Sequence, residues 1–138
     1  MSDNAKPYRL YLVEDSEIMV RLLRELLGCD PAVEIVGQSV SAGVAEAEIT
    51  ALAPDAVIVD IALQNSTGFD VLRALSARQG ETRPVVMVLS NFVLQRYRDE
   101  AQRLGADYFF DKSGEIVELL KTVLLLANGT IKRNGSHR

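Results

Sequence analysis

The chain is predicted to be an α/β protein, a doubly wound parallel sheet of five strands with helices on both faces. Three observations predict it. Five short apolar, β-branched segments recur along the 138 residues, and the stretches between them carry apolar residues at helical spacing. Two of the segments, Ala56-Val57-Ile58-Val59 and Val85-Val86-Met87-Val88-Leu89, are apolar without interruption. A continuous run marks a strand covered on both faces, as in a parallel sheet. Alternating β and α units place such strands in one sheet, and right-handed crossovers leave a few doubly wound topologies.

The elements follow in order. Strands are expected at Tyr8 to Val13, Val33 to Val40, Ala56 to Asp60, Val85 to Ser90 and Asp107 to Phe110; the middle three are each entered closely after a proline, Pro31, Pro54 or Pro84. Ser16 to Gly28 reads as a helix whose stripe is Ile18, Met19, Leu22, Leu23 and Leu26, with Ser16 as N-cap. Ser41 to Ala53 carries Val44, Ala45, Ile49 and Leu52 on one helical face, and Gly68 to Gln79 carries Phe69, Leu72 and Leu75. Phe92 to Leu104 presents Val93, Tyr97, Ala101 and Leu104 before the stop at Gly105. A last helix runs from about Glu115 to Ala127. Residues 1–127 are thus expected to form one domain, and 128–138 a polar, mobile tail with no output domain after it.

Composition excludes several classes. A chain of this length buries roughly 68–70% of the surface its unfolded form exposes, enough to fold unaided. No apolar run approaches the ~20 residues that span a bilayer, and Met1 to Pro7 lacks the apolar stretch of a signal peptide. A cytoplasmic location follows as an expectation. Cys29 and His137 are the only residues of their types, so a Cys/His zinc site fails by counting, and a Ser-His-Asp or Cys-His site would need a histidine one residue from the C-terminus. Net charge is −4 and the fifteen basic residues form no run, so direct nucleic-acid binding is not expected.

In an open α/β sheet, ligands bind beyond the carboxyl ends of the strands. Those ends read Val13-Glu14-Asp15, Val59-Asp60, Leu89-Ser90-Asn91 and Phe110-Asp111-Lys112. Carboxylates are hard oxygen ligands of the kind that hold Mg²⁺ together with a phosphate. An aspartate can be the nucleophile toward a phosphoryl group, and a lysine can neutralise the transferring oxygens. Taken singly, Glu14 and Asp15 read equally well as a polar loop, Ser90 as an ordinary strand end and Lys112 as a surface residue. Asp60 is different, because a charge closing a buried apolar strand is costly without partners. The combination, at four strand ends on one edge, points to aspartyl phosphorylation.

These motifs resemble the receiver domain of bacterial two-component response regulators. They are Leu12-Val13-Glu14-Asp15-Ser16, Val57-Ile58-Val59-Asp60-Ile61, Gly68 eight residues on, Val88-Leu89-Ser90, and Leu104-Gly105-Ala106-Asp107-Tyr108-Phe109-Phe110-Asp111-Lys112. The resemblance covers about residues 8 to 127 and implies a flavodoxin-like (βα)5 sheet in the order 2-1-3-4-5. It makes Asp60 the phosphoacceptor, with Mg²⁺ held by Glu14, Asp15, Asp60 and the Ala62 carbonyl. Ser90 becomes the switch hydroxyl, Lys112 the phosphate-binding lysine and Phe109 the switch aromatic. It implies a histidine kinase or histidine phosphotransfer protein as donor, a downstream protein partner, and no enzymatic activity beyond self-phosphorylation and dephosphorylation.

Departures from the family pattern are Glu14 for the usual aspartate, Gln64 where proline is frequent, Asn91 after Ser90, and Ser113 for the usual proline. A cis bond before a non-proline costs about 3–4 kcal/mol, so Lys112–Ser113 is expected to be trans. Ala62 stands where a dehalogenase-type phosphohydrolase needs a second aspartate. Glu14-Asp15 would repel the phosphate of a flavin mononucleotide, and a receiver-shaped scaffold that is never phosphorylated has no use for the complete set. On the last helix Val117, Leu124, Leu125 and Leu126 exceed one buried face. They are expected either to form a partner or homodimer surface or to lie under the tail.

Overall fold

Period-two alternation decides what each strand residue packs against, and here it splits the interior into two layers. The computed structural model describes residues 6–78 and 83–132. It contains, in order, β1 (Tyr8–Val13), α1 (Glu17–Gly28), β2 (Val33–Ser39), α2 (Ala42–Leu52), β3 (Ala56–Val59), β4 (Ala62–Leu63), β5 (Ser66–Thr67), α3 (Gly68–Ser76), β6 (Val85–Ser90), α4 (Gln95–Arg103), β7 (Tyr108–Asp111) and α5 (Ile116–Ala127). The five long strands pair in parallel in the order β2-β1-β3-β6-β7. Counting those five alone, that is 2-1-3-4-5, the expected order. Leu10, Leu12, Ile58, Met87 and Leu89 face α1 and α5, against Leu23, Leu27, Leu119 and Val123. Their neighbours Tyr11, Val13, Val57, Val59, Val86 and Val88 face the other way, against Ala45, Ile49, Leu72, Leu75 and Ala101.

Four helices differ from the expectation. In α2 the buried residues are Ala42, Ala45 and Ile49, and Val44, expected on that face, is exposed. In α1 the buried seam is Val20, Leu23 and Leu27, whereas Ile18 is 77% exposed and Leu22 and Leu26 are also exposed. The helix carries more apolar residues than one face uses, so spacing alone cannot say which stripe meets the sheet. Ser16 is its N-cap, accepting from the Met19 N–H at 3.2 Å. The fourth helix starts at Gln95, three residues after Phe92, because the Ser90 hydroxyl accepts the Phe92 N–H at 3.0 Å and Leu94 is extended. The third ends at Ser76; Gln79 lies outside the described residues.

A hairpin was not foreseen. β4 and β5 pair antiparallel after Asp60, with Asn65 in the left-handed region at φ 59°, a conformation asparagine tolerates. Asn128–Lys132, expected as the start of the tail, pack back: the Thr130 N–H donates to the Leu125 carbonyl at 2.9 Å, Ile131 joins the α1/α5 layer, and the Tyr108 hydroxyl donates to the Lys132 carbonyl at 3.2 Å. Val117, Leu124 and Leu125 nevertheless stay exposed. The remaining tail, with His137, lies outside the described residues. Cys29, just past α1, is exposed and its thiol donates to the Glu25 carbonyl at 2.9 Å. Among the described residues no peptide bond is cis, so Lys112–Ser113 is trans as expected, and no helix is long and apolar enough to cross a membrane.

One strand position demands glycine. The β1–β2 register slips between Leu10 and Tyr11, which pair with Ile35 and Gly37. A Cβ on Gly37 would lie 3.0 Å from the Tyr11 ring and 3.2 Å from Leu52. That ring is fully buried and its hydroxyl donates to Glu48 at 2.5 Å, so it has little freedom to retreat. Gly37→Ala is expected to lower stability by about 1–3 kcal/mol. Urea unfolding measures this, and an unchanged midpoint would show that the Tyr11 ring yields.

Candidate functional site

The sheet ladder continues one residue beyond several strands, and this sets the site. The Glu14 N–H donates to the Ser39 carbonyl (3.0 Å), the Asp60 N–H to Val13 (2.9 Å) and the Lys112 N–H to Ser90 (3.0 Å). Three of the candidate site residues are therefore held by backbone pairing at the carboxyl edge before any side chain interacts. Gly68 presses the turn after β3 together: its N–H donates to the Ile61 carbonyl at 2.8 Å, and a Cβ there would collide with the Asp60 carbonyl.

Lys112 ties the carboxylates together. Its Nζ lies 2.7 Å from Asp60 Oδ2 and 3.0 and 3.1 Å from the two Glu14 oxygens. Glu14 is 3% exposed and Asp60 5%. Glu14 Oε2 also accepts the Ser16 N–H at 3.0 Å, and Asp60 Oδ1 the Ala62 N–H at 3.2 Å. Burial pushes the Glu14 carboxyl above its ordinary range, opposed by Lys112 and the Ser16 N–H and reinforced by Asp60. For Lys112, burial works against the charged form, but the hydrogen bonds to Asp60 and Glu14 outweigh it and hold the ammonium above its usual value. A single ammonium thus serves two buried carboxylates.

Asp15 completes the set. One carboxylate oxygen from each of Glu14, Asp15 and Asp60 lies within 4.8 Å of the others. Asp15 is half-buried and has no hydrogen-bond or ion-pair partner among the described residues. Three hard oxygen donors, one of them uncommitted, around a charge deficit form a donor set that fits a divalent cation such as Mg²⁺. The extra methylene of Glu14 has a visible use, since this carboxylate reaches both Lys112 and the Ser16 N–H.

Ser90 is fully buried at the end of β6, one strand from Asp60, and its hydroxyl is engaged by Phe92 rather than by the carboxylates. Ala62 is exposed on β4, and Phe109 is half-buried on β7. Two participants escaped the sequence reading. The Ser16 N–H at Glu14 could have been found from the N-cap assignment, which places that amide beside the strand end. Arg98, whose guanidinium lies 4.7 Å over the Phe109 ring, had no signal beyond being one arginine on a polar helix.

The model of the response regulator receiver domain matches residues 10–124. The chain belongs to that family. Receiver homologues place it in phosphorylation-dependent two-component signalling, as a phosphoacceptor module. This receiver is 30% identical over 115 residues to the DNA-binding transcriptional activator DevR/DosR of Mycobacterium tuberculosis, covering 83% of the chain but only 52% of that protein. It thus spans about half the length of that relative. Among solved structures, the receiver domain of the response regulator NarL from Mycobacterium tuberculosis superposes with a TM-score of 0.79 at 23% identity, over 90% of this chain and 98% of that one. The phosphorylated cyanobacterial phytochrome response regulator RcpA gives 0.78 at 23% identity, over 93% and 99%. Both share the fold of this receiver.

Proposed function

We propose that Asp60 accepts a phosphoryl group from a phosphohistidine, with Mg²⁺ held by Glu14, Asp15, Asp60 and the Ala62 carbonyl. The observation that carries this is the convergence of Asp60, two further carboxylates and Lys112 at one strand edge. An Asp60 carboxylate oxygen attacks phosphorus; the new P–O bond forms as the P–N bond breaks, and the imidazole nitrogen leaves and takes a proton. Backbone pairing to Val13 keeps the nucleophile in place, so little ordering is left for the reaction itself. Lys112 moves from the Asp60 carboxylate to the phosphoryl oxygens, a short shift for an ammonium already at that site. When bound, Mg²⁺ supplies neutralisation of the charge gathered there.

Phosphorylation replaces the single carboxylate charge of Asp60 with a phosphoryl group that carries about −1.5 to −2 and three strong acceptor oxygens, which draws Ser90 toward the new oxygens and away from the Phe92 N–H. The β6–α4 loop and the α4–β7–α5 face then carry the signal to a downstream protein. The donor is a histidine kinase or histidine phosphotransfer protein, the setting is the cytoplasm, and residues 1–127 act as one receiver domain. The exposed Val117, Leu124 and Leu125 on α5 supply a surface for a partner or a second copy.

The test is incorporation of label from acetyl phosphate, with and without Mg²⁺, into wild type and Asp60→Asn. Label should require both Mg²⁺ and Asp60. Equal label in Asp60→Asn would reject the assignment.

A further inference from the structure

The groove between α4 and β7 has a volume of about 300 Å³ and is lined by Arg98, Ala101, Gln102, Ala106, Tyr108 and Phe109. Phe109 sits at its edge, packed on one side against the α2–α3–α4 layer and covered on the other by the Arg98 guanidinium, 4.7 Å from the ring centroid. The same guanidinium group is tethered at its other end: Arg98 Nε donates to the Val93 carbonyl at 3.1 Å. Val93 belongs to the loop whose first turn is held by the Ser90 hydroxyl through the Phe92 N–H. A continuous path of contacts therefore runs from Ser90 through the loop to Arg98 and the Phe109 ring.

We infer that Arg98 is a positioning residue, a latch that holds the Phe109 ring against the core only while the β6–α4 loop keeps its resting shape. This rests on the reading of Asp60 as phosphoacceptor and Ser90 as the hydroxyl that responds. When Ser90 turns to the phosphoryl group, the Phe92 N–H loses its acceptor and the loop shifts. The Val93 carbonyl then leaves Arg98, the guanidinium leaves the ring, and Phe109 has the neighbouring groove to move into. The geometry suits arginine specifically: the guanidinium lies over the ring while its Nε reaches the carbonyl. Lysine keeps the charge and cannot do both. Phenylalanine has no hydroxyl to anchor, so the lid over its face takes over that holding role.

The experiment is fluorine NMR of the full chain labelled with fluorophenylalanine. The protein has four phenylalanines, and Phe109→Leu assigns the relevant signal. Wild type, Arg98→Gln and Arg98→Lys are compared before and after phosphorylation by acetyl phosphate, with Asp60 occupancy measured on the same samples. Glutamine and lysine are both good helix formers of a length that fits this half-buried position, and a thermal melt confirms that each variant folds. In unphosphorylated Arg98→Gln the Phe109 signal should move at least half way to the position wild type reaches on phosphorylation. That corresponds to a shift of the ring equilibrium on the order of tenfold, with Arg98→Lys in between. Signals that coincide with wild type in both variants would overturn the latch. Absence of label at Asp60 would overturn the phosphoacceptor reading and the Ser90-driven release with it, while the unphosphorylated spectra still decide whether Arg98 holds the ring.

Discussion

Exchanging Lys112 for methionine is expected to lower the stability of the fold by about 3–5 kcal/mol in the absence of divalent cations, the usual cost of leaving a buried ionic partner unpaired. The size of the effect follows from the charge balance. Glu14 and Asp60 are both almost completely buried, and Lys112 is the ion-pair partner of each among the described residues. Methionine fills similar space and returns no charge, so two carboxylates face each other with Asp15 nearby. Urea unfolding with and without Mg²⁺ measures the effect. The cation should recover a large part of the loss in the variant and add less in wild type, because in the variant it replaces the positive charge that Lys112 supplied to both carboxylates. A loss below about 1 kcal/mol would mean that water screens Glu14 and Asp60 better than their burial implies.

Gly68→Ala is the second large effect, and it acts through the backbone. A Cβ at this position collides with the Asp60 carbonyl and would lie 2.9 Å from its carbon and 3.0 Å from the Ile61 Cα. None of these atoms can rotate away as a side chain end can. Relief requires the turn between β3 and α3 to open, which moves the residue proposed as nucleophile. The expected cost is about 1–3 kcal/mol in stability and a slowing of phosphoryl uptake on the order of a hundredfold, the effect of displacing a reacting group by about an ångström. Gly43→Ala is the internal control. It lies within α2 with nothing within 4 Å of an added Cβ, so it should leave uptake unchanged and raise stability by roughly 0.5–1 kcal/mol. If both variants take up phosphate at the wild-type rate, the turn is more compliant than its contacts indicate.

The strands were legible because their signals are local. The uninterrupted runs at Ala56 and Val85 announce burial on two faces, and the residues closing those runs named the site before any distance was known. The stripe of α1 was not legible, since Ile18, Leu22 and Leu26 form as regular a row as Val20, Leu23 and Leu27. Only contact with Leu10 and Leu12 separates them. The start of α4 depends on one hydroxyl, Ser90, claiming an amide that a helix would otherwise use. Lys112 was expected to await a phosphoryl group; its present engagement with Glu14 depends on the reach of a glutamate side chain across two strand ends. Arg98 on Phe109 joins residues eleven positions apart through a packing arrangement that no spacing rule encodes.

Cys29 has a practical consequence. Helix α1 runs back against the direction of the strands, so its final turn delivers the thiol to the amino edge of the sheet, the end remote from Asp60. The thiol is exposed, and the sequence holds no other cysteine. A maleimide dye therefore attaches at one defined point without mutagenesis and without crowding the acidic edge. Paired with a second dye on a kinase or effector, it turns the wild-type protein into a ready ruler for timing encounters molecule by molecule.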